Sequence, residues 1–167
     1  LSFWEDEFEV RQGVFIPRPE TETLVEAFLE KGGFSRNDSF YFLDLGTGTG
    51  NIGGTIAKLF PHSRGVASDL SGRALTVARR NAERLAVSNR LRLVHSDGLL
   101  AFGKEAFDVI FSNPPYVAIG EWETLEPEVH REPRQAFVAG EDGLDFYRKT
   151  LGDLSCLLSR QLHRQHC

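Results

Sequence analysis

The chain has 167 residues, which is enough for one hydrophobic core and too few for two ordinary domains. Its 19 Lys and Arg residues against 24 Asp and Glu residues give a net charge of -5, which disfavours binding of a phosphate backbone through overall charge. No apolar run approaches the roughly 20 residues that a membrane span needs. Composition therefore favours a single globular domain without direct contact to nucleic acid or membrane.

Both cysteines of the chain, Cys156 and Cys167, lie among its last residues, so no disulfide framework can organise the core. A reducing compartment fits this composition. The acidic start has the pattern of neither a secretory signal nor a transit peptide. We therefore expect a cytoplasmic protein, with a mitochondrial location as the alternative for a eukaryotic parent. No metal is predicted, because His163, His166 and Cys167 match no complete ligand set.

The first predicted element is a helix that begins near Pro19. Proline is favoured at the first helical position, and Glu20 and Glu22 fall in the first turn, where the helix dipole favours acidic residues. The following apolar residues give this helix a face to bury: Leu24, Val25, Phe28 and Leu29.

Four apolar runs then alternate with helix-length segments, which is typical of a parallel sheet built from βαβ units. The fold class is therefore α/β. We predict strands at 40–45, 64–69, 91–95 and 107–112, and helices at 51–60 and 71–85, the second capped by Ser71. Residues 120–142 are predicted to be a long loop, of the kind that is usually either functional or disordered, followed by a last helix over about 144–158.

The end of the chain departs from this pattern. The strand at 107–112 is apolar enough for the interior of a sheet, yet no later strand is predicted to cover its free side. Residues 159–167 show no strand pattern. We therefore expect a chain whose beginning is missing and whose end is truncated or changes reading frame near Leu151.

A glycine-rich loop follows the first strand of the sheet, in the run Asp44-Leu45-Gly46-Thr47-Gly48-Thr49-Gly50. Glycines let a ligand touch the backbone directly, and the loop leads into a helix N-terminus. Gly48, Gly50 and Gly53 also satisfy the dinucleotide fingerprint, and Asp69 ends the second strand, where a ribose-binding acid is expected. This region alone therefore fits either NAD or S-adenosylmethionine.

Two acidic residues favour the methyl donor. Asp44 begins the glycine loop inside the strand, where it can address the amino acid end of the cofactor, and Asp97 follows the third strand, where it can meet the adenine. Two of the site acids, Asp97 and Asp69, also have structural alternatives. Asp97 and Gly98 could form a simple Asp-Gly turn, and Asp69 could cap the following helix.

A second motif, Ser112-Asn113-Pro114-Pro115-Tyr116, follows the fourth strand. The two prolines remove backbone donors and leave carbonyl groups free to accept hydrogen bonds. A planar NH2 group could donate one hydrogen to the Asn113 side-chain oxygen and another to the Pro114 carbonyl, while Tyr116 covers its flat face. Such acceptors would make an amide nitrogen more reactive toward a sulfonium methyl group, so we expect the catalytic residues to be Asn113, Pro114 and Tyr116.

These two motifs, together with the upstream Phe15-Ile16-Pro17-Arg18-Pro19-Glu20-Thr21-Glu22, resemble the HemK/PrmC glutamine methyltransferases over roughly residues 14–148. The resemblance implies a class I S-adenosylmethionine-dependent fold whose last strands are absent here. It also implies methyl transfer from S-adenosyl-L-methionine to the glutamine of the Gly-Gly-Gln motif in class I release factors, with S-adenosyl-L-homocysteine as product. The chain would divide into a connecting segment and helix at 1–38 and the cofactor-binding methyltransferase domain at 39–167.

The resemblance and the motifs together give two sets of candidate site residues. The candidate substrate-binding residues are Asn113, Pro114, Pro115, Tyr116, Arg18 and Glu20. The candidate cofactor-binding residues are Asp44, Gly46, Thr47, Gly48, Gly50, Asp69, Leu70, Asp97, Gly98, Asn113, Pro17 and Thr21. The pair Glu132-Pro133 and the stretch 140–147 also resemble downstream segments of the family.

Other functions remain open from the sequence. The Asn-Pro-Pro-Tyr motif is shared with adenine-N6 DNA and RNA methyltransferases. Such an enzyme would need a strip of basic residues that faces the site. We expect the arginines that could form this strip to lie on a solvated helix face instead: Arg79, Arg80, Arg84, Arg90 and Arg92. A noncatalytic module that binds an adenosine ligand would keep only the glycine loop. Gly53 and Gly54 depart from the family, since each glycine costs about 1 kcal/mol in a helix relative to Ala. The resemblance also implies three final strands and an N-terminal helical domain that this sequence lacks. We therefore expect an active parent protein, and a chain that folds poorly or turns over weakly.

Overall fold

The computed structural model describes residues 1–158, and its chain begins with a short hairpin. Strand β1 (Ser2–Phe3) pairs antiparallel with β2 (Asp6–Glu7). The hairpin places Phe3 and Phe8 in edge-to-face contact, with 5.8 Å between ring centroids, and both side chains are buried. They belong to the main hydrophobic core, so the first residues fold onto the sheet.

A four-stranded parallel sheet forms the centre of the protein. Its strands are β3 (Tyr41–Leu45), β4 (Arg64–Asp69), β5 (Leu91–His95) and β6 (Val109–Ser112), in the order β5-β4-β3-β6. The α/β fold class and the parallel sheet are confirmed. The chain runs outward from β3 to β5 and then returns to the other side of β3, so the strand order reverses between β3 and β6. Open α/β sheets bind ligands at such a switch point, beyond the carboxyl ends of the strands.

Helices cover both faces of the sheet. One face carries α1 (Glu22–Lys31), α2 (Asn51–Leu59) and α3 (Gly72–Arg84), whose apolar residues join the core around the fully buried Phe42. The other face carries α4 (Asp145–Leu157), which packs Phe146 and Leu157 against Leu43 and Val66. The predicted cap of α3 is confirmed, because the Ser71 hydroxyl accepts a hydrogen bond from the backbone N–H of Ala74.

The edge of the sheet differs from the prediction. The strand predicted at 107–112 begins only at Val109, because Asp108 turns toward β3: its backbone N–H donates to the carbonyl of Tyr41, and its carboxylate accepts from the N–H of Tyr41. Phe107 instead forms an isolated bridge with Leu158, after the end of α4. Within residues 1–158, no strand pairs with the outer edge of β6. The predicted pattern of residues 159–167 lies outside the described residues.

The loop predicted at 120–142 is more ordered than expected. It contains three short 3-10 helices, Ile119–Thr124, Val129–Arg131 and Arg134–Ala136. A parallel bridge between Val117 and Val138 then ties the start of this segment to its end. The segment therefore folds back over the carboxyl edge of the sheet.

The structure gives a packing reason for the two unexpected glycines of α2. A Cβ atom on Gly53 would lie 2.9 Å from a carboxylate oxygen of Asp44, and one on Gly54 would lie 2.8 Å from the Leu85 side chain. The Asp44 side chain is buried and hydrogen-bonded, so α2 can approach β3 this closely only with glycine at position 53. At Gly54 the neighbouring atom is the end of the Leu85 side chain just after α3, which can move, so the requirement for glycine is weaker there. The loss of helix propensity is offset by this close packing.

Candidate functional site

A cavity of about 200 Å³ lies beyond the carboxyl ends of the four parallel strands. Residues that follow each strand line it: Gly46 to Gly48 after β3, Leu70 and Ser71 after β4, Asp97 and Gly98 after β5, and Asn113 to Pro115 after β6. The glycine loop and the Asn-Pro-Pro-Tyr motif, which are more than 60 residues apart in the sequence, therefore face the same space. This is the crevice that the switch in strand order creates.

The glycine loop offers its backbone to the cavity. Gly46 and Gly48 have φ values of +73° and +56°, and a Cβ atom on either would meet nothing within 4 Å. These two glycines thus leave open space against the backbone that any side chain would occupy. Gly50 serves packing instead, because a Cβ there would lie 3.1 Å from the Cβ of Ala78 in α3, and Gly50 is not among the residues that line the cavity.

Asp69 fixes the shape of the glycine loop and also lines the cavity. One carboxylate oxygen accepts from the N–H of Gly48 at 2.8 Å, and the other accepts from the N–H of Ser71 at 2.8 Å, just before α3. A carboxylate oxygen has room for a second hydrogen bond. Asp69 can therefore hold the loop and accept from ligand hydroxyl groups at the same time. The cap of α3 is Ser71 rather than Asp69, and contact of Asp69 with a ribose stays a prediction.

Asp44 lies beneath the loop. It is fully buried and is not among the residues that line the cavity. Its Oδ2 atom accepts from the Thr47 hydroxyl at 2.5 Å and from the N–H of Gly53 at 2.9 Å. Burial raises the pKa of the Asp44 carboxyl group to about 6, and the negative charge of Asp69 adds to the rise, while the two hydrogen bonds act against it. Contact of Asp44 with the cofactor stays a prediction, and the structure gives it a role in shaping the loop.

Asn113 is oriented by a residue from the upstream motif. Its side-chain nitrogen donates to the hydroxyl oxygen of Thr21 at 3.1 Å, across 92 residues of sequence. Because the nitrogen is engaged there, the amide oxygen keeps its capacity to accept. Asn113, Thr21, Pro114 and Pro115 all line the cavity, whereas Tyr116 is 66% exposed and lies outside the lining.

Asp97, Gly98 and Leu70 line the side of the cavity formed by β4 and β5. Gly98 has a φ of +56°, and the N–H of Leu100 donates to the carbonyl of Asp97, so the predicted Asp-Gly turn is present. Both carboxylate oxygens of Asp97 accept from the ammonium group of Lys149 in α4, at 2.7 and 2.8 Å. Asp97 is thus held in place from the opposite helix.

The upstream motif is only partly in contact with the cavity. Thr21 lines it, but Pro17, Arg18 and Glu20 do not. Pro17 is buried, Glu20 is exposed, and Arg18 forms an ion pair with Glu132. Direct contact of these three residues with cofactor or substrate therefore stays a prediction without support from the cavity lining.

Several lining residues were not among the candidate site residues. Phe15, Pro133 and Phe146 lie in segments that resemble the family, and the sequence did not single out the others: Gly13, Val14, Asn51, Ser68, Ser96, Gln135 and Ala136. Two of them carry buried polar atoms that have no hydrogen-bond partner within the described part of the chain, Nδ2 of Asn51 and Oγ of Ser68. Buried polar atoms normally have partners. A bound polar ligand or ordered water beside the cavity would satisfy them.

Neither a metal cluster nor a spanning helix is found in residues 1–158. No group of three or more His, Cys, Asp or Glu residues in this range could hold a metal ion. None of its helices combines the length and the apolar character needed to cross a bilayer. The tail residues His163, His166 and Cys167 lie outside the described residues.

Comparison with known proteins identifies the family. Residues 11–129 match the family model described as "Methyltransferase small domain". The chain belongs to this family. Curated relatives include proteins named release factor glutamine methyltransferase from Caulobacter vibrioides, 41% identical over 89% of this chain, and from Cereibacter sphaeroides, 47% identical over 87%. These alignments cover 51% and 50% of the two relatives, so this methyltransferase domain spans about half their length.

Solved structures support the same fold. The hMettl16 catalytic domain, in complex with MAT2A 3'UTR hairpin 1, superposes with a TM-score of 0.67 at 16% identity and covers 87% of this chain and 55% of its own. The human methyltransferase 10 domain containing protein gives a TM-score of 0.55 at 19% identity, over 75% of this chain and 66% of its own. At these identities the likeness concerns the fold alone.

Proposed function

We propose that this protein transfers a methyl group from S-adenosyl-L-methionine to the side-chain amide nitrogen of a glutamine in a protein substrate. The relatives named release factor glutamine methyltransferase support this assignment, and the substrate glutamine would be that of a release factor Gly-Gly-Gln motif. The observation that carries the proposal is the Asn113 amide, oriented by Thr21 and facing the same cavity as an open glycine loop.

The cavity fits the proposed cofactor at several points. The open space beside Gly46 and Gly48 admits a ligand against the backbone, and Asp69 can accept from ribose hydroxyl groups. Asp97, on the opposite side, would lie by the adenine. S-adenosyl-L-methionine supplies an electrophilic methyl group on a positively charged sulfur.

The Asn-Pro-Pro-Tyr segment would hold the nucleophile. The Asn113 side-chain oxygen and the Pro114 carbonyl accept the two hydrogens of the substrate NH2 group, which weakens delocalisation of its lone pair. The lone pair forms the new N–C bond as the C–S bond breaks, S-adenosyl-L-homocysteine leaves, and the nitrogen loses one proton to water. Alignment of nitrogen, methyl carbon and sulfur supplies much of the rate enhancement.

The adenine-N6 alternative needs basic residues near the reacting group. All five arginines considered for that role lie outside the cavity lining. Arg80 pairs with Glu9, and Arg90 donates to the carbonyls of Phe60 and Ser63. These contacts favour a protein substrate over a nucleic acid.

The test combines binding and product analysis. Calorimetric titration with S-adenosyl-L-homocysteine and with NAD is followed by mass spectrometry of a release factor and a Gly-Gly-Gln peptide after incubation with S-adenosyl-L-methionine. We expect S-adenosyl-L-homocysteine binding, no NAD binding, and one added methyl group on the glutamine. The Asn113→Ala variant should still bind S-adenosyl-L-homocysteine but should no longer methylate the glutamine. NAD binding, or methylation of DNA or RNA in place of the peptide, would contradict the proposal, and the same assays on a chain extended to the length of the relatives give the reference rate.

A further inference from the structure

An ion pair joins two distant parts of the chain beside the cavity. The Arg18 guanidinium donates to Oε1 of Glu132 at 2.5 Å, across 114 residues of sequence. The second carboxylate oxygen of Glu132 accepts from the backbone N–H of Ile16 at 2.8 Å. The Glu132 side chain is only 7% exposed, so both of its oxygens are withdrawn from water and satisfied by the upstream segment.

Two aromatic rings complete this contact. The guanidinium carbon of Arg18 lies 5.5 Å from the ring centroid of Phe15 and 5.8 Å from that of Phe137. The two rings are themselves in edge contact, with centroids 5.2 Å apart. A guanidinium held by a carboxylate and packed on two rings has little freedom to move. We call the set of Arg18, Glu132, Phe15 and Phe137 the clasp.

The clasp connects two walls of the cavity. Phe15 lines the cavity from the upstream segment, and Pro133, directly after Glu132, lines it from the loop that follows the Asn-Pro-Pro-Tyr motif. Thr21 lies three residues after Arg18 and is the partner of the Asn113 amide. The position of Thr21 relative to β6 therefore depends on the segment that the clasp holds.

We propose that Arg18 and Glu132 are positioning residues that keep Thr21 in place and thereby orient the Asn113 amide for methyl transfer. This inference rests on the proposed function. Arg18 acts through Thr21 and does not contact the substrate, which accounts for its absence from the cavity lining. Within residues 1–158, no hydrogen bond or ion pair joins the clasp to the glycine loop or Asp69, so we expect the loss of Arg18 to affect catalysis more than cofactor affinity.

The first test separates catalysis from binding. Arg18→Met keeps the length of the aliphatic stem and removes the charge, and Lys58→Met is the matched control because it breaks the exposed ion pair with Asp6 at the far end of α2. We expect Arg18→Met to lower kcat for the Gly-Gly-Gln peptide by at least about tenfold, since small misplacement of reacting groups is costly. The Kd for S-adenosyl-L-homocysteine should change less than about threefold, and Lys58→Met should match the wild type.

Glu132→Gln guards against a variant that simply fails to fold. The glutamine keeps the size of the side chain, but its single amide oxygen can accept from only one of the two donors, the N–H of Ile16 or Arg18, and its NH2 group cannot accept from the other. We therefore expect kcat to fall below that of the wild type. The proposal is overturned if Arg18→Met retains the kcat of Lys58→Met, or if both clasp variants lose activity only in proportion to the fraction of unfolded protein.

A second readout does not depend on activity. The side-chain amide resonance of Asn113, assigned through its loss in Asn113→Asp, reports the hydrogen bond to Thr21 in solution. Arg18→Met and Glu132→Gln should move this resonance in the direction that Thr21→Val moves it, and Lys58→Met should leave it unchanged. If the resonance does not move in the two clasp variants, the clasp is refuted. If it moves in the variants but the wild-type protein methylates no glutamine, the clasp is supported and the proposed function is refuted.

Discussion

The side-chain nitrogen of Asn81 in α3 donates a hydrogen bond to the carbonyl oxygen of Thr49, 2.9 Å away in the glycine loop. The same buried side chain exchanges two further hydrogen bonds with the backbone of Glu9, at 2.7 and 3.0 Å. One asparagine thus fixes the loop, the helix and the segment after the hairpin relative to one another.

Replacing Asn81 should therefore destabilise the protein. Asn81→Ala leaves the buried carbonyl of Thr49 and the partly buried backbone groups of Glu9 without their partners, and we expect the free energy of unfolding to fall by roughly 2–4 kcal/mol. Urea denaturation measures it. Arg80→Ala, which removes an exposed neighbour that pairs with Glu9, should change stability by less than about 1 kcal/mol. Equal losses in the two variants would contradict the assigned role of Asn81.

Removal of the Thr21 hydroxyl should impair catalysis. Thr21→Val keeps the shape of the side chain but offers no acceptor to the Asn113 amide, so the amide can rotate, and we expect kcat to fall roughly 10-fold to 100-fold. Thr21→Ser should retain most of the rate. Thr23→Val is the matched control and should behave as wild type, because the exposed Thr23 hydroxyl donates to the Glu20 carbonyl on the surface. Steady-state methylation of the peptide is the measurement, and equal rates for the Val and Ser variants at position 21 would count against the mechanism.

The raised pKa of Asp44 predicts a specific dependence of stability on pH. Burial raises it from the ordinary 3.8 to about 6, so between these values the folded protein holds a proton that the unfolded chain releases. The resulting stabilisation is complete below about pH 3.8 and is lost as the pH rises through 6, amounting to about 3 kcal/mol.

Asp44→Asn isolates this contribution. The amide oxygen of the variant can still accept from Thr47 and Gly53, and it does not titrate. The free energy of unfolding of the variant minus that of the wild type should become more positive by about 2.5 kcal/mol between pH 4 and pH 7, since pH 4 already lies above the ordinary pKa of 3.8. Parallel stability curves over this range would show that the Asp44 pKa is not raised.

The open space at Gly48 predicts a separation of stability from binding. Gly48→Ala and Gly33→Ala both place a Cβ on a residue with positive φ, +56° and +72°, where nothing lies within 4 Å. Each should cost about 1–2 kcal/mol of stability. Only Gly48 lines the cavity, so only Gly48→Ala should also lower the affinity for S-adenosyl-L-homocysteine, by at least about tenfold. Calorimetry that finds equal affinities in the two variants would place the cofactor elsewhere.

The sequence was most informative where function depends on local pattern. Alternating apolar runs gave all four parallel strands, and the glycine loop, Asp69 and Asn113 reach one cavity because parallel strands bring their carboxyl ends to one edge. The predicted start of the fourth strand was wrong because the Asp108 carboxylate takes the backbone N–H of Tyr41 that would otherwise be free for strand pairing.

Contacts between distant segments could not be predicted in this way. Asn81 reads as an ordinary polar residue of an amphipathic helix, and Glu132 as an exposed acid before a proline. Their roles come from backbone groups 32 and 116 residues away, for which one sequence contains no periodic signal. Arg18 illustrates the same limit. The motif at 15–22 indicated that Arg18 belongs to the site, but its ion pair with Glu132, 114 residues away, could not be predicted from the motif.

The buried hairpin has a consequence for exchanging this domain among relatives. The family match begins at residue 11, yet Phe3 and Phe8 are only 1% and 2% exposed, and the ring of Phe8 lies close to Gly54 in α2. The unit that the family model delimits is thus shorter than the unit that packs together. A chimera that keeps this chain from residue 11 onward would retain the space beside Gly54 that the ring of Phe8 fills. The segment joined in front of residue 11 would therefore have to supply an aromatic ring at the same place.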